Sequence, residues 1–377
     1  MRHYKKSSKK TITLFLSLIL TLTSTFSLPT QASALTIQLN QTAATIRVGK
    51  KTTLSIKGTS KKITWSSKNA TIASVNQKGI VTGKKKGITY ISAKVAGKTL
   101  RCKITVKPKA ASSIAMVING VSLKLGDSVL TLKRKFGEPT RIDTSIYSFD
   151  YYVYNTKNYE HFFMVGVQNN KIVAFYSDTS TFKIGSLTPS CSISQVNGLL
   201  KSSIDSTAKE AFITSNGLYY RLFFDQLGKK NLVGTLVSSV PLTQKTRTST
   251  ILKAEEREIF DTCNSARVRN GLTPFTWSEK AATASRNHSK DMATNNYFSH
   301  TSLSGTNPWD RMISVGISWR SCGENIIAGY TDGISANNGW LNSSGHRSNM
   351  LANFTYLGVG GATGGSYGIY FTEGFYS

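Results

Sequence analysis

Acidic residues are scarce in this sequence. Its 377 residues carry 19 Asp and Glu against 47 Lys and Arg, for a formal net charge of +28, and residues 35–108 hold 16 basic side chains and no carboxylate. A stretch without internal counter-charge is read in two ways: it meets polyanions favourably, or it is a solvated basic face. Long apolar runs are missing after residue 34, which excludes a later helical membrane span of ~20 residues. Two fingerprints are also absent. No Gly-x-Ser-x-Gly elbow surrounds Ser343, and the glycine-rich run Gly358 to Gly365 lacks the Gly-x-Gly-x-x-Gly spacing, so nucleotide binding has no support and the run is read as a tight turn between two strands. Cysteine is limited to Cys102, Cys191, Cys263 and Cys322. Only Cys263 and Cys322 fall in one predicted domain, which makes them the candidate bridge; the alternative is a pair of ordinary thiols.

What is present points to a globular, multidomain chain. The composition is 39% hydrophobic and 10% aromatic, enough for several small cores, and the length suggests two or three domains. Residues 1–34 read as a signal peptide: Arg2, Lys5, Lys6, Lys9 and Lys10 precede an apolar stretch from Thr11 to Leu28, and Ala32-Ser33-Ala34 supplies a cleavage signal. No Cys follows that stretch closely and no sorting tail follows Phe375-Tyr376-Ser377, so release or non-covalent retention at the wall is expected. Basic residues number 16 against 9 acidic in 109–249 and 10 against 10 in 250–377, so the excess sits at the N-terminal end of the mature chain. In an extracellular setting its partners are expected to be an anionic cell-wall polymer or a membrane surface, with no nucleic acid.

Residues 35–108 alternate β-branched residues in short runs, among them Thr52 to Ile56, Ile88 to Val95 and Thr99 to Val106, broken by Gly49, Gly58, Gly79, Gly83, Gly87 and Gly97; this predicts a small β-sandwich. Trp65-Ser66-Ser67-Lys68-Asn69, Ile72-Ala73-Ser74-Val75 and Gly79-Ile80-Val81-Thr82-Gly83 make the segment resemble the bacterial Ig-like domain of group 2, which implies a spacer or adhesion module. After a connector from Lys107 to Ser113, residues 114–242 read as α+β: a strand Val117 to Leu123, a helix Asp127 to Phe136, then strands with Asn169-Asn170 as a turn. Gly137-Glu138-Pro139 and Tyr151-Tyr152-Val153-Tyr154 resemble the domain that precedes CAP domains in some secreted bacterial proteins. The lone His161 and the aromatic run Tyr147 to Tyr154 are read as structural. Residues 243–250 are polar and Thr-rich, a second linker.

Residues 251–377 carry the candidate chemistry. A helix is predicted from Leu252 to Asn270, with Glu255, Glu256 and Glu258 favourably placed in its first turns, and another from 278 to 296, with His288 on its apolar face as a buried histidine. Three stretches then set a titratable side chain beside small residues: Phe298-Ser299-His300-Thr301, Cys322-Gly323-Glu324-Asn325-Ile326 and Trp340-Leu341-Asn342-Ser343-Ser344-Gly345-His346-Arg347. Two imidazoles and a carboxylate can hold a divalent cation or run acid–base chemistry, and spacing alone does not choose between these. With His288-Ser289-x-Asp291-Met292 and the strand Tyr356 to Gly360, they resemble the CAP superfamily of cysteine-rich secretory, antigen 5 and pathogenesis-related proteins.

That resemblance implies a C-terminal α/β/α sandwich with a cleft that, in many eukaryotic members, is surrounded by two His and two Glu able to bind a divalent metal. His300, Glu324 and His346 match three of the four; the fourth position holds Ser343. A metal site of His300, Glu324 and His346 is therefore expected to be weakened or open, with zinc as the candidate ion. Ser343 also suggests a nucleophile, with His346 or His300 as base and Glu324 as orienter. The reading favours a binding module with an unknown ligand in the cleft over an enzyme; the rivals are a metal- or Ser-dependent hydrolase of wall peptides or proteins, and an adhesive protein with a vestigial cleft.

Overall fold

The computed structural model describes residues 36–108, 114–155 and 158–377. The signal-peptide reading of residues 1–34 lies outside them, as does the connector at 109–113. Two compact units divide the chain, Met1–Lys107 and Pro108–Ser377.

The first unit is the expected β-sandwich. A four-stranded sheet runs in the order Ala43–Arg47, Lys98–Lys107, Gly87–Val95, Thr64–Ser67, and a three-stranded one in the order Lys51–Thr53, Ile80–Gly83, Ala73–Val75. Period-two alternation buries Ile91, Cys102, Ile104 and Val106 from one sheet against Leu54, Ala73 and Val81. Gly79 has φ +75°, and a Cβ there would lie 2.2 Å from the Leu54 carbonyl oxygen, so both its conformation and its close contact require glycine.

The second unit holds two layered assemblies on a shared core. Its first part is a seven-stranded antiparallel sheet in the order Arg141–Thr144, Asp150–Tyr154, Phe163–Gln168, Lys171–Ser177, Leu232–Ser238, Leu218–Phe224, Glu210–Ser215. Helices α1 (Val129–Phe136), capped by Ser128, and α2 (Ile193–Leu200), with a Ser192/Gln195 capping box, cover one face. The expected strand Val117 to Leu123 is instead a hairpin, Ala115–Ile118 and Val121–Lys124, because Asn119 and Gly120 both take positive φ and form its two-residue turn. Asn169 and Asn170 turn as expected. Tyr147, Phe149, Tyr151 and Tyr154 are buried, as a packed strand requires.

The C-terminal part is the α/β/α sandwich. Its sheet runs Thr276–Trp277, Tyr356–Gly364, Gly368–Tyr376, Cys322–Ala328, between α3 (Ser249–Arg269) and α4 (Glu279–Asn295). Three short helices follow: α5 (Pro308–Ser314), α6 (Gly333–Leu341) and α7 (Ser344–Met350). Most of the glycine run is strand rather than turn. Gly358 and Gly360 let α4 lie directly on the sheet, since Cβ atoms there would approach the backbone nitrogens of Ala282 and Arg286 to 2.1 and 2.0 Å. The turn itself uses Gly364, Gly365 and Gly368, all at positive φ.

One apolar core joins the two parts: Tyr147, Phe149, Tyr151 and Tyr176 from the seven-stranded sheet pack in the same cluster as Ile259, Phe260 and Trp340. Four Arg–Asp pairs reinforce the seam: Arg141 with Asp261, Arg221 with Asp332, Arg269 with Asp178, and Arg347 with Asp225. Residues of the polar 243–250 segment take part, Gln244 Nε2 and Arg247 Nη2 donating to the Thr331 carbonyl.

The start of α3 differs from the sequence expectation. Thr248 caps it and Ser249 begins it, so its first turn holds no acidic residue. Glu255, Glu256 and Glu258 lie further along and are buried. They are not dipole partners: Glu255 pairs with Arg247 at 2.7 Å and Glu256 with Arg286 at 2.8 Å. The candidate bridge is absent as well. Cys263 is buried in α3, Cys322 sits half-buried on its strand, and all four cysteines are free thiols.

Candidate functional site

His300 stands on the loop after α4, Glu324 on the strand Cys322–Ala328, Ser343 at the N-cap of α7 and His346 in its first turn. The Glu324 side chain is only 5% exposed, whereas that of His300 is 50% exposed. His300 Nδ1 lies 2.9 Å from Glu324 Oε1. A carboxylate only accepts, so this nitrogen carries the proton and Nε2 is left as an acceptor. The other carboxylate oxygen, Oε2, accepts from Arg311 Nη2 at 2.6 Å, and the same guanidinium donates to the His300 and Thr306 carbonyls. Arg311 thus fixes the loop and neutralises the carboxylate at once.

Beneath this pair lies His288, buried on α4 as expected. Its Nε2 is 3.0 Å from the Ser299 carbonyl and 3.8 Å from Glu324 Oε1. Burial lowers the His288 pKa, and the neighbouring Glu324 charge opposes that shift. A neutral His288 donating to Ser299 braces the loop that presents His300.

The second pair is Ser343 and His346, with Oγ 2.9 Å from Nδ1. Burial holds the His346 pKa below its ordinary value, and protonation of His300 would push it in the same direction. Asn325 ties the two pairs together. Its Nδ2 donates to the His346 carbonyl at 3.1 Å and to Glu373 Oε2 at 3.0 Å, and its Oδ1 accepts from Asn349, which also donates to the Glu324 carbonyl. Glu373 is fully buried, and desolvation pushes its carboxyl up to about 8 against the hydrogen bond from Asn325. From the other part of the unit, Arg347 is held by Asp225, while Asn342 donates to the Phe224 carbonyl and accepts from Gln226 N; residues on either side of the Ser343 and His346 pair are therefore anchored.

The proposed triad is divided by this geometry: Glu324 orients His300, and Ser343 bonds His346. The zinc set is not assembled either. Among the described residues no group of three or more His, Cys, Asp or Glu side chains is arranged to hold a metal ion. Both Glu324 oxygens are committed, and a cation on Oε2 would face the Arg311 guanidinium, so Glu324 is placed to orient His300 rather than to serve as a direct metal ligand. Arg311 and Glu373 were missed by the sequence reading. Neither stands beside a motif residue, and only the strand register Asn325↔Glu373 brings the latter against Asn325.

Comparison with known proteins agrees with this architecture. Residues 260–375 match the cysteine-rich secretory protein family, residues 125–210 the CAP-associated N-terminal family, and residues 34–113 the group 2 bacterial Ig-like domain. Over 285 residues the chain is 29% identical to the uncharacterized membrane protein YlbC of Bacillus subtilis strain 168, covering 66% of this chain and 82% of that one. It is 38% identical over 135 residues to the uncharacterized protein YkwD of the same organism, covering 34% and 52%. Among solved structures, an extracellular protein containing an SCP domain from Bacillus anthracis strain Ames matches with TM-score 0.54 and 28% identity over 67% of this chain and 93% of that one. A cysteine-rich secretory protein from Staphylococcus aureus Mu50 shares the fold, with TM-score 0.52 and 16% identity over the same shares. No helix among the described residues is long and apolar enough to cross a membrane. This chain therefore carries a C-terminal region that matches the cysteine-rich secretory protein, or CAP, family, after regions that match the CAP-associated N-terminal family and the group 2 bacterial Ig-like domain.

Proposed function

We propose that this chain is an extracellular, envelope-retained binding protein whose cleft takes a ligand without a metal. The carrying observation is Glu324, clamped between Arg311 and His300 under a half-exposed imidazole. A carboxylate neutralised in this way orients His300 and leaves its Nε2 facing outward for a donor on the ligand. Phe298, Leu303 and Trp309, on the loop that carries His300 and the helix after it, are exposed and available for apolar contact. This pairing suits a lipid, glycan or peptide that carries both a hydroxyl or amide and an apolar part. The resemblance to an extracellular SCP-domain protein supports the location, and the carboxylate-free Ig-like unit supports retention by an anionic envelope component.

The test is a thermal-shift panel of acyl chains, wall glycans and wall peptides on the whole chain. A ligand that stabilises the wild type but not His300→Ala supports the reading. Failure of every class, or equal stabilisation of the variant, counts against it. Zinc calorimetry adds a second readout: stoichiometric uptake that disappears in the His300→Ala, His346→Ala double variant would overturn the metal-free cleft.

A second reading, hydrolysis, is favoured by the 2.9 Å bond between Ser343 and His346. It predicts that Ser343→Ala abolishes release of wall peptides. An unchanged rate ends it.

A further inference from the structure

The basic residues of the Ig-like unit are not scattered evenly. On strand Lys98–Lys107 the inward side chains are Cys102, Ile104 and Val106, so Arg101, Lys103 and Lys107 share the outer face, spaced at multiples of two residues. Two residues of strand advance roughly 6.8 Å, so Arg101 and Lys103 stand about that far apart and Lys107 about twice as far beyond. The neighbouring strand Gly87–Val95 adds Ile88, Tyr90, Ser92 and Lys94 to this face. Its register sets Lys94 opposite Thr99, Ser92 opposite Arg101, Tyr90 opposite Lys103, and Ile88 opposite Thr105. No cation faces another across this strand pair, and on the other side Arg47 of the strand Ala43–Arg47 stands beside Lys107, which concentrates positive charge at that end of the face.

Tyr90 and Ile88 are 40% and 54% exposed on a sheet whose other side is the core. A strand face that keeps an aromatic and an isoleucine in water, set among four cations and several hydroxyls, serves no purpose in the fold of its own unit. Thr64 and Ser66 extend the face on the next strand as exposed hydroxyl residues. No carboxylate anywhere in residues 35–108 weakens the positive field.

We propose that this outer sheet face is a binding track for a linear phosphodiester polymer whose repeat carries a polyol or sugar. Lys94, Arg101, Lys103 and Lys107 meet successive phosphates, Tyr90 stacks on the polyol between them, and the Ser and Thr hydroxyls bond its oxygens. Alternating phosphate charge and polyol C–H surface is what such a polymer presents along its length, whereas a lipid surface offers its charges in a plane. The inference rests on the envelope retention proposed above and names the surface responsible.

The test uses the whole chain and surface-bound poly(glycerol phosphate), with phosphatidylglycerol vesicles as a parallel arm. Three exposed contacts at a few-fold each predict a loss of about tenfold in affinity for the Lys94→Ser, Arg101→Ser, Lys103→Ser variant. The loop variant Lys84→Ser, Lys85→Ser, Lys86→Ser removes the same charge and is expected to lose less than about threefold. Tyr90→Ala, which changes no charge, is expected to lose about threefold. These outcomes together support the track. Equal losses in the two triple variants overturn the track and leave retention by bulk charge intact. Absence of polymer binding by the wild type overturns both. Tighter binding to the vesicles, with the same ranking of variants, overturns the polymer in favour of a membrane.

Discussion

Replacing Glu373 by Gln isolates one buried proton. The carboxyl lies on the strand Gly368–Tyr376 with no exposed surface, hydrogen-bonded to Asn325 Nδ2 at 3.0 Å. Desolvation raises it from an ordinary 4.5 to about 8. Between those values the folded chain holds a proton that the unfolded chain has released, so stability is full below pH 4.5 and falls as pH rises toward 8. A rise of that size corresponds to roughly 5 kcal/mol, an order-of-magnitude ceiling. Glu255 and Asp178, raised by burial to about 7 and about 6, add slopes of the same sign and stay in the variant. Urea midpoints measured from pH 4.5 to 8.5 should therefore fall steeply for the wild type and distinctly less for Glu373→Gln. Parallel curves would refute the buried-acid account. Because Asn325 also holds the His346 carbonyl, the wild type should show His346 resonances shifting with this same high-pH transition, and the variant should not.

Further outcomes follow from the same geometry. Arg311→Met leaves the Glu324 carboxylate buried without its cation and is expected to cost about 3–5 kcal/mol in urea unfolding; a loss below about 1 kcal/mol would show that the pair is solvated. Gly360→Ala places a Cβ 2.0 Å from the Arg286 nitrogen, and α4 can only move away as a body, so about 3 kcal/mol and a lowered Tm are expected. Arg221, fully buried, bonds Glu210 and Tyr147 within its own part and Asp332 and Thr331 across the seam. Arg221→Met should destabilise the entire unit by about 3–5 kcal/mol in one cooperative transition; two separate transitions would show that its parts fold independently.

Local pattern was enough for much of the molecule. Alternation and glycine spacing identified the sandwich at 35–108, because strand period and turn chemistry act within a few residues, whereas the grouping of His300, Glu324 and His346 came from the family resemblance. Boundaries were less legible. The polar run at 243–250 resembles a linker, yet Thr248 caps α3 and Arg247 pairs with Glu255, since a helix cap and a hinge draw on the same residue types. The hairpin at Asn119-Gly120 carries its turn signal openly, yet the alternation on either side of it also suits a single strand.

By itself the sequence determined the family resemblances, the periodicity of the elements and the titratable residues available to the site, since each of these is written in neighbouring residues. Only the tertiary structure decided how those residues are used. Arg311 claims one oxygen of Glu324, Asn325 and Glu373 meet through strand register, and Asp225 reaches Arg347 from another layer. These contacts join positions 13 to 122 residues apart. Such partners are chosen by packing, and no local spacing specifies them.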